Sequence, residues 1–300
     1  MTTRAPMPSP HPEPVAGLVS EVRMKFAAEP GSVRLSYWFD LAAILTVVRI
    51  TVERQNRGRR LLILALLFSL PIVFAILTRR YQAAYRPDPV ESVLVFGLIF
   101  SALVPLSALL FATGLVQDDL EEQTLTYFLI RPIPRWAVYL AKLLATFVVT
   151  MLRAVIFTMG TLVAVYWGEE RLVRAILLQR APIIAALLAL SLGAYVAIFG
   201  GLSLWVRRTL VVGAVYIVVF EGVIANIDFV IREATVIYYI RVLSVRWLDR
   251  SGADWSIDPA TAPSASTCLI VLLSATAVFA LLGALTFGTR EFRVKTPAGS

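Results

Sequence analysis

The 300-residue sequence holds one cysteine, Cys268, one histidine, His11, and three lysines, Lys25, Lys142 and Lys295. A single cysteine excludes an intrachain disulfide and a thiolate metal site. A single histidine, set in a Pro-rich stretch, excludes a His-based metal site or a Ser-His-Asp triad within one chain. None of the lysines sits in a Gly-Lys-Ser/Thr run, so the phosphate-binding P-loop is missing. No metal or cofactor site is expected in the chain. Charge is also scarce, at 16% of residues, against about 25% in an average soluble domain. What fills the space is apolar: 58% of residues, with a mean hydropathy of +0.77. A soluble domain cannot hide that much apolar surface, so the class is a multi-pass membrane protein. The net charge of +8 comes without a basic run interleaved with aromatics, as a nucleic-acid surface would need. It is assigned to cations that anchor loops at a lipid surface.

An all-α membrane fold with six spans is expected. A span needs about 20 apolar residues, because the hydrocarbon core is about 30 Å thick and a helix rises about 1.5 Å per residue. Segments of that kind lie at about 61–78, 92–116, 139–167, 181–206, 209–231 and 266–289, with Pro71 as an expected kink in the first and Pro105 inside the second. The first 32 residues hold several prolines and no apolar run, and read as a disordered tail without a signal peptide. Residues 291–300 form a second tail. Between the first tail and the first span, residues 33–60 contain an uncharged stretch, Leu41 to Val48, too short to cross. It is followed by Arg49, Arg54, Arg57, Arg59 and Arg60. With Trp38 and Phe39, this segment reads as a helix in the membrane interface with its arginines among lipid head groups. Loop cations favour both termini in the cytoplasm, with 17 Lys and Arg on that side against 10 on the other. The stretch ATVIYYIRVLSVRWL within 232–264 fits either an interfacial or re-entrant helix at the outer mouth or a surface loop.

Two spans carry small residues every fourth position: Ala189, Gly193, Ala197 and Gly201 in one, Thr276, Ala280, Ala284 and Gly288 in the other. Such strips let a neighbouring backbone approach. Two charges fall near span midpoints, Arg153 in the third and Glu221 in the fifth. A lone charge at the bilayer centre costs about 2.5–3.5 kcal/mol on insertion scales. Opposite signs at matching depth predict a buried ion pair, within the bundle or across a dimer. Its role is a structural clamp or a place on the substrate path. Asn226 and Asp228, further along, are expected at the outer vestibule.

A charged, proline-broken segment lies between two spans at 117–138, QDDLEEQTLTYFLIRPIPRWAV. Asp118, Asp119, Glu121 and Glu122 suit the start of a short helix, where acids complement the dipole. Leu125, Phe128 and Leu129 share one face, and Arg131-Pro132 stops the helix. An amphipathic helix of this kind can lie in a partner's groove, or be a solvated loop. The stretch 121–145 resembles the signature of type-2 ABC export permeases. Glu122, Thr124, Leu125, Leu129, Arg131, Pro132, Ile133, Arg135 and Lys142 fall in register with it. Gln123 replaces the usual glycine and Thr126 the second acid. The resemblance implies a permease subunit of an ABC exporter in a bacterial plasma membrane. Residues 118–135 would be a coupling helix docked on a separate ABC ATPase, which would bind ATP and Mg. A second permease copy or a sister subunit would complete the path. A secondary transporter or a membrane scaffold without an ATPase is the alternative. The Glu169-Glu170-Arg171-Leu172-Val173-Arg174 run matches the E-E-x-x-x-R of an intramembrane protease family. That family also needs intramembrane histidines, and the only histidine here is His11.

Overall fold

The computed structural model describes residues 41–56, 59–81, 86–115, 134–168, 175–176, 178–206, 208–227, 230–250, 252, 255–258 and 260–289. Among them all regular structure is helical. We label the helices α1 (Leu41–Asn56), α2 (Arg59–Tyr81), α3 (Pro87–Leu115), α4 (Arg135–Val165), α5 (Ala181–Trp205), α6 (Thr209–Asn226), α7 (Val236–Leu248) and α8 (Ala265–Thr289). Six of them, α2 to α6 and α8, are long and apolar enough to cross a membrane. The spans are those expected, with shifted ends: α2 continues to Tyr81, α3 begins at Pro87 and takes in Glu91, and α6 stops at Asn226.

Burial separates a centre from a rim. In their most apolar windows α3 and α5 are 61% buried, α4 is 44% buried, and α2, α6 and α8 are each 22% buried. A helix apolar on every side belongs in a protein core or in lipid. Here α3 and α5 supply the core, with Phe96, Phe100, Tyr195 and Phe199 fully enclosed. Leu66, Val215 and Leu285 on the rim helices stay exposed.

Close approach depends on small residues, as the two strips predict. Gly193 of α5 lies against Thr276 of α8, and Gly201 against the Phe279 carbonyl. Gly283 of α8 lets Tyr139 of α4 in so closely that an added Cβ would overlap the phenol ring. Gly288, the last member of its strip, has open space beside it. The third span is flanked in two stages. Val47 of α1 packs with Val138 and Ala141 near the start of α4, and Gln55 bonds Thr146 at 2.7 Å. Further along, Phe68 of α2 meets Phe157, and Arg79 reaches the Val165 carbonyl. So α1 lines the first half of α4 and α2 the second half.

Two spans depart from α-geometry. In α3 the backbone is π-helical over Ser92–Leu103, and the Ser101 hydroxyl and the Val104 amide both bond carbonyls five residues back. The wide winding ends just before Pro105, which has no N–H to give to the preceding turn. In α6 the α-helix gives way to π-turns at Ile217–Val223 and to a 3-10 turn at Ile224–Asn226.

Candidate functional site

The π-turns of α6 set the first site. Of their seven residues only Glu221 is buried, because the extra residue per turn rotates one side chain inward. Its carboxylate lies at the start of α7, accepting the backbone N–H groups of Val236 at 3.3 Å and Ile237 at 3.1 Å. Those are the first two residues of α7, whose opening amides have no partner within the helix. Thr235, in the N-cap position, turns its own hydroxyl to the Arg232 carbonyl instead. Glu221 therefore caps α7 from another helix, and its negative charge meets the positive end of the dipole. The Tyr216 hydroxyl donates to the same carboxylate at 3.3 Å.

Arg241, on α7 itself, is only 6% exposed. It donates to the Ala225 carbonyl at 3.2 Å and to Asn226 Oδ1 at 3.0 Å, and so holds the carboxyl end of the 3-10 turn. Asn226 in turn donates to the Gly222 carbonyl. Nine of the thirteen residues of α7 are buried, which resolves the open choice over this stretch. It is a packed helix of about 20 Å by its rise, not a surface loop, and it ends where Asp249 takes the left-handed conformation.

The expected partnership of Arg153 and Glu221 is not formed within the chain. Arg153 donates to the Gln55 carbonyl at 3.2 Å and to Asn56 Oδ1 at 2.5 Å, and lies over the Phe111 ring. Gln55 and Asn56 are the last residues of α1, whose final carbonyls have no intrahelical partner. A guanidinium there faces the negative end of that dipole. Within the chain each charge, the half-buried Arg153 and the buried Glu221, meets a helix terminus of opposite polarity, which leaves contact across two copies as the form of the pair still open.

A second cluster joins the start of α3 to two connections, α4–α5 and α7–α8. Glu91 is fully buried at 0% exposure. Arg250 pairs with its Oε1 at 2.5 Å, Arg180 with its Oε2 at 3.3 Å, and the Tyr166 hydroxyl donates to Oε2 at 2.5 Å. Asp88, mostly exposed, lies 3.8 Å from Arg180 and accepts from Tyr166 at 3.2 Å. Burial first, and then the hydrogen bond to Glu91, raise the Tyr166 hydroxyl well above the ordinary tyrosine value, which keeps it a donor. The two clusters touch through rings. Arg250 sits 4.5 Å over Phe96, Phe96 meets Trp255 at 5.9 Å, and Arg241 lies over the other end at 5.9 Å from Trp255. These are cation–π distances. The chain alternates direction from span to span, so both clusters lie at the end of the bundle opposite Leu115 and the start of α4.

Glu91 escaped the sequence reading because it falls one residue before the apolar run taken as the second span. Its partners Tyr166, Arg180 and Arg250 are scattered over 85 positions. The only sequence signal was an acid abutting a span, next to loops rich in arginine.

The remaining expected site residues divide between described and undescribed positions. Asp118, Asp119, Glu121, Glu122, Thr124, Leu125, Phe128, Arg131 and Pro132 lie outside the described residues, as do Arg57, Asp228 and the Glu169–Arg174 run. Arg135 opens α4, and the Pro134 carbonyl before it accepts the amides of Ala137 and Val138. Arg49 is exposed and pairs with Glu53 one turn on, at 2.9 Å. Arg54 and Arg60 lie on α1 and α2, and for Arg59 only the backbone is described.

Six apolar helices around a polar cap at one end define a multi-pass membrane protein. Residues 50–225 match the family model described as ABC-2 family transporter protein. That is more than half of the chain, and the protein belongs to this family of ABC transporter permeases. No curated protein matches the sequence. The matched stretch contains the 117–138 break and ends before α7 and α8.

Proposed function

We propose that the chain is the membrane subunit of an ABC exporter, working with a separate ABC ATPase and with a second permease, either a copy of itself or a sister subunit. The observation that carries this reading is the family match over residues 50–225 in a sequence without a P-loop. A permease of this family needs ATP hydrolysis, and these 300 residues hold no phosphate-binding loop; ATP and Mg binding is assigned in this reading to a partner ATPase. The chain itself is not an enzyme. Its acidic and Arg-Pro segment, Asp118 to Arg135, is the surface offered to that partner. Arg49 to Arg60 sit among lipid head groups of a bacterial plasma membrane, with both termini in the cytoplasm.

In this orientation the Glu91 and Glu221 clusters lie on the outer side. They bind the ends of α3, α4, α5 and α6 to α7 and to each other. ATP-driven closure applied at the cytoplasmic segment would then move the spans beneath an outer cap held by charge. The path opens at the interface between two permeases, and export follows from alternating access across it.

The test is purification of the permease from its native membrane through a tag on the permease. Co-purification of a stoichiometric ATPase is expected. Glu122→Lys and Arg131→Glu should each release it while membrane insertion stays normal. A permease that purifies alone while remaining active in transport favours a secondary transporter. Retention of the ATPase by both variants removes the assignment of the coupling segment.

A further inference from the structure

A groove of about 470 Å³ opens on the bundle surface between the end of α2 and the start of α3. Its wall is apolar along the span: Phe74 from one helix, Val90, Val93 and Leu94 from the other. Its rim is polar, with Thr78 and Arg86. Phe74 and Val93 are half or more exposed, so the groove faces what surrounds the bundle rather than its interior. The volume falls within the range of about 300–1,000 Å³ typical of ligand sites.

The electrostatics of the rim are one-sided. Arg86 is exposed and makes no hydrogen bond or ion pair among the described residues. Thr78 spends its hydroxyl on the Phe74 carbonyl. The nearest acids on α3 are engaged elsewhere: Glu91 turns inward to Arg250 and Arg180, and Asp88 faces Arg180 and Tyr166. An unpaired guanidinium above an apolar slot, where two spans meet the water boundary, matches an anionic head group above an acyl chain. Arginine is suited to phosphate because its planar fork can donate two parallel bonds.

We infer that this groove is a binding site for a membrane lipid with an anionic phosphate head group, the phosphate on Arg86 and an acyl chain along Phe74, Val90, Val93 and Leu94. The lipid fills the gap that α2 and α3 leave between them, and ties the end of the first span to the second.

The test is lipid binding to the full chain in detergent, counted by native mass spectrometry. Phosphatidylglycerol and phosphatidylcholine with the same acyl chains are compared, and free glycerol phosphate is added as competitor. A preference for phosphatidylglycerol of about fivefold is expected, the size of one arginine acting at an anionic lipid surface. Arg86→Gln should bring that ratio close to one and leave phosphatidylcholine binding in place. Val93→Trp, at an exposed position that leaves the core intact, should fill the slot and weaken both lipids several-fold. Arg80→Gln, a nearby exposed cation, should keep the preference. The inference is overturned by equal binding of the two lipids to the parent protein, or by a preference that survives Arg86→Gln. Loss of preference in Arg80→Gln to the same extent also overturns it, since the effect would then be general surface charge. Val93→Trp binding both lipids unchanged rules out the acyl placement, and competition by glycerol phosphate as strong as by the lipid reduces the site to a plain anion contact.

Discussion

Glu91 and Glu221 are withdrawn from solvent to the same degree, at 0% and 1% exposure, yet they are neutralised by different means. Glu91, at the edge of its span, gathers two guanidinium groups and a phenol from the α4–α5 and α7–α8 connections. Glu221, inside its span, gathers two backbone amides and a phenol, and its nearest cation bonds the adjacent 3-10 turn instead. The difference follows from what each site can supply. Near the water boundary, loops can bring in arginines whose own desolvation is partial. Deeper in the bundle a further charge costs several kcal/mol to bury, whereas the amides that open α7 are already there and already need acceptors. A buried carboxylate in a membrane bundle therefore has two routes to neutrality, and they respond differently to loss of charge.

The largest effect expected is at Glu91. Glu91→Gln keeps the shape and removes the charge, which leaves Arg250, 13% exposed, as an uncompensated cation. Breaking one side of a buried pair costs about 3–5 kcal/mol. Arg180, more exposed, adds little. The midpoint of unfolding in detergent should fall accordingly. Replacing both partners, Glu91→Leu with Arg250→Met, should recover most of the loss, because apolar residues of similar volume often replace a buried pair at no net cost. A Glu91→Gln protein within about 1 kcal/mol of the parent would place Glu91 in a solvated setting and remove the contrast with Glu221.

At Glu221 the amide should succeed where it fails at Glu91. Glu221→Gln retains an acceptor oxygen for the amides of Val236 or Ile237 and should cost about 1 kcal/mol, whereas Glu221→Ala leaves both N–H groups without a partner and should cost about 2 kcal/mol. Hydrogen exchange should rise in the first turn of α7 for the alanine variant and change little for the glutamine variant. If glutamine is as damaging as alanine, charge is what matters at Glu221 and the two carboxylates are alike after all.

Tyr166 contributes less, and only through its hydroxyl. Tyr166→Phe should cost about 1.5 kcal/mol, the lower end for a hydrogen bond to a charged group. Its pH dependence has a definite sign. The folded-state value is raised from 10.0, so the folded protein holds the proton more tightly than the unfolded chain does. The advantage over Tyr166→Phe is then constant at neutral pH and is lost only as pH rises above about 10. Unfolding midpoints for the two proteins should run parallel from pH 6 to 9 and converge above that. Convergence at lower pH would mean that the hydroxyl ionises more easily than its buried setting implies.

The six spans were legible because hydropathy adds up residue by residue along the chain. Neither Pro71 nor Pro105 obscures a 20-residue apolar run. The strips at Gly193 and Gly201 were legible for the same reason, since positions four apart share a face wherever the helix packs. The partners of the charges were not. Arg153 and Glu221 look like a pair when the only known neighbours are other side chains, and a sequence does not display the open carbonyl at Gln55 or the open amides at Val236 and Ile237. Nor does it display the π-turn that rotates Glu221 inward, which adds one residue to a turn without any special composition. Glu91 shows the same limit from the other side. Its three partners are ordinary loop residues until folding brings them to one point.

The smallest expected effect is the most pointed test of how Arg153 and Glu221 are satisfied. Arg153→Met removes a cap on α1 and should cost about 1 kcal/mol. Combined with Glu221→Gln in a double-mutant cycle, it should show a coupling within about 0.5 kcal/mol of zero, as for residues with no shared partner. Charge reversal, Arg153→Glu with Glu221→Arg, should likewise restore nothing, because each new charge would face a helix end of its own sign. A coupling above about 1 kcal/mol, well outside that additive range, cannot arise from the contacts within one chain. It would place Arg153 of one copy against Glu221 of another, and the ion pair would then be a property of the assembled dimer.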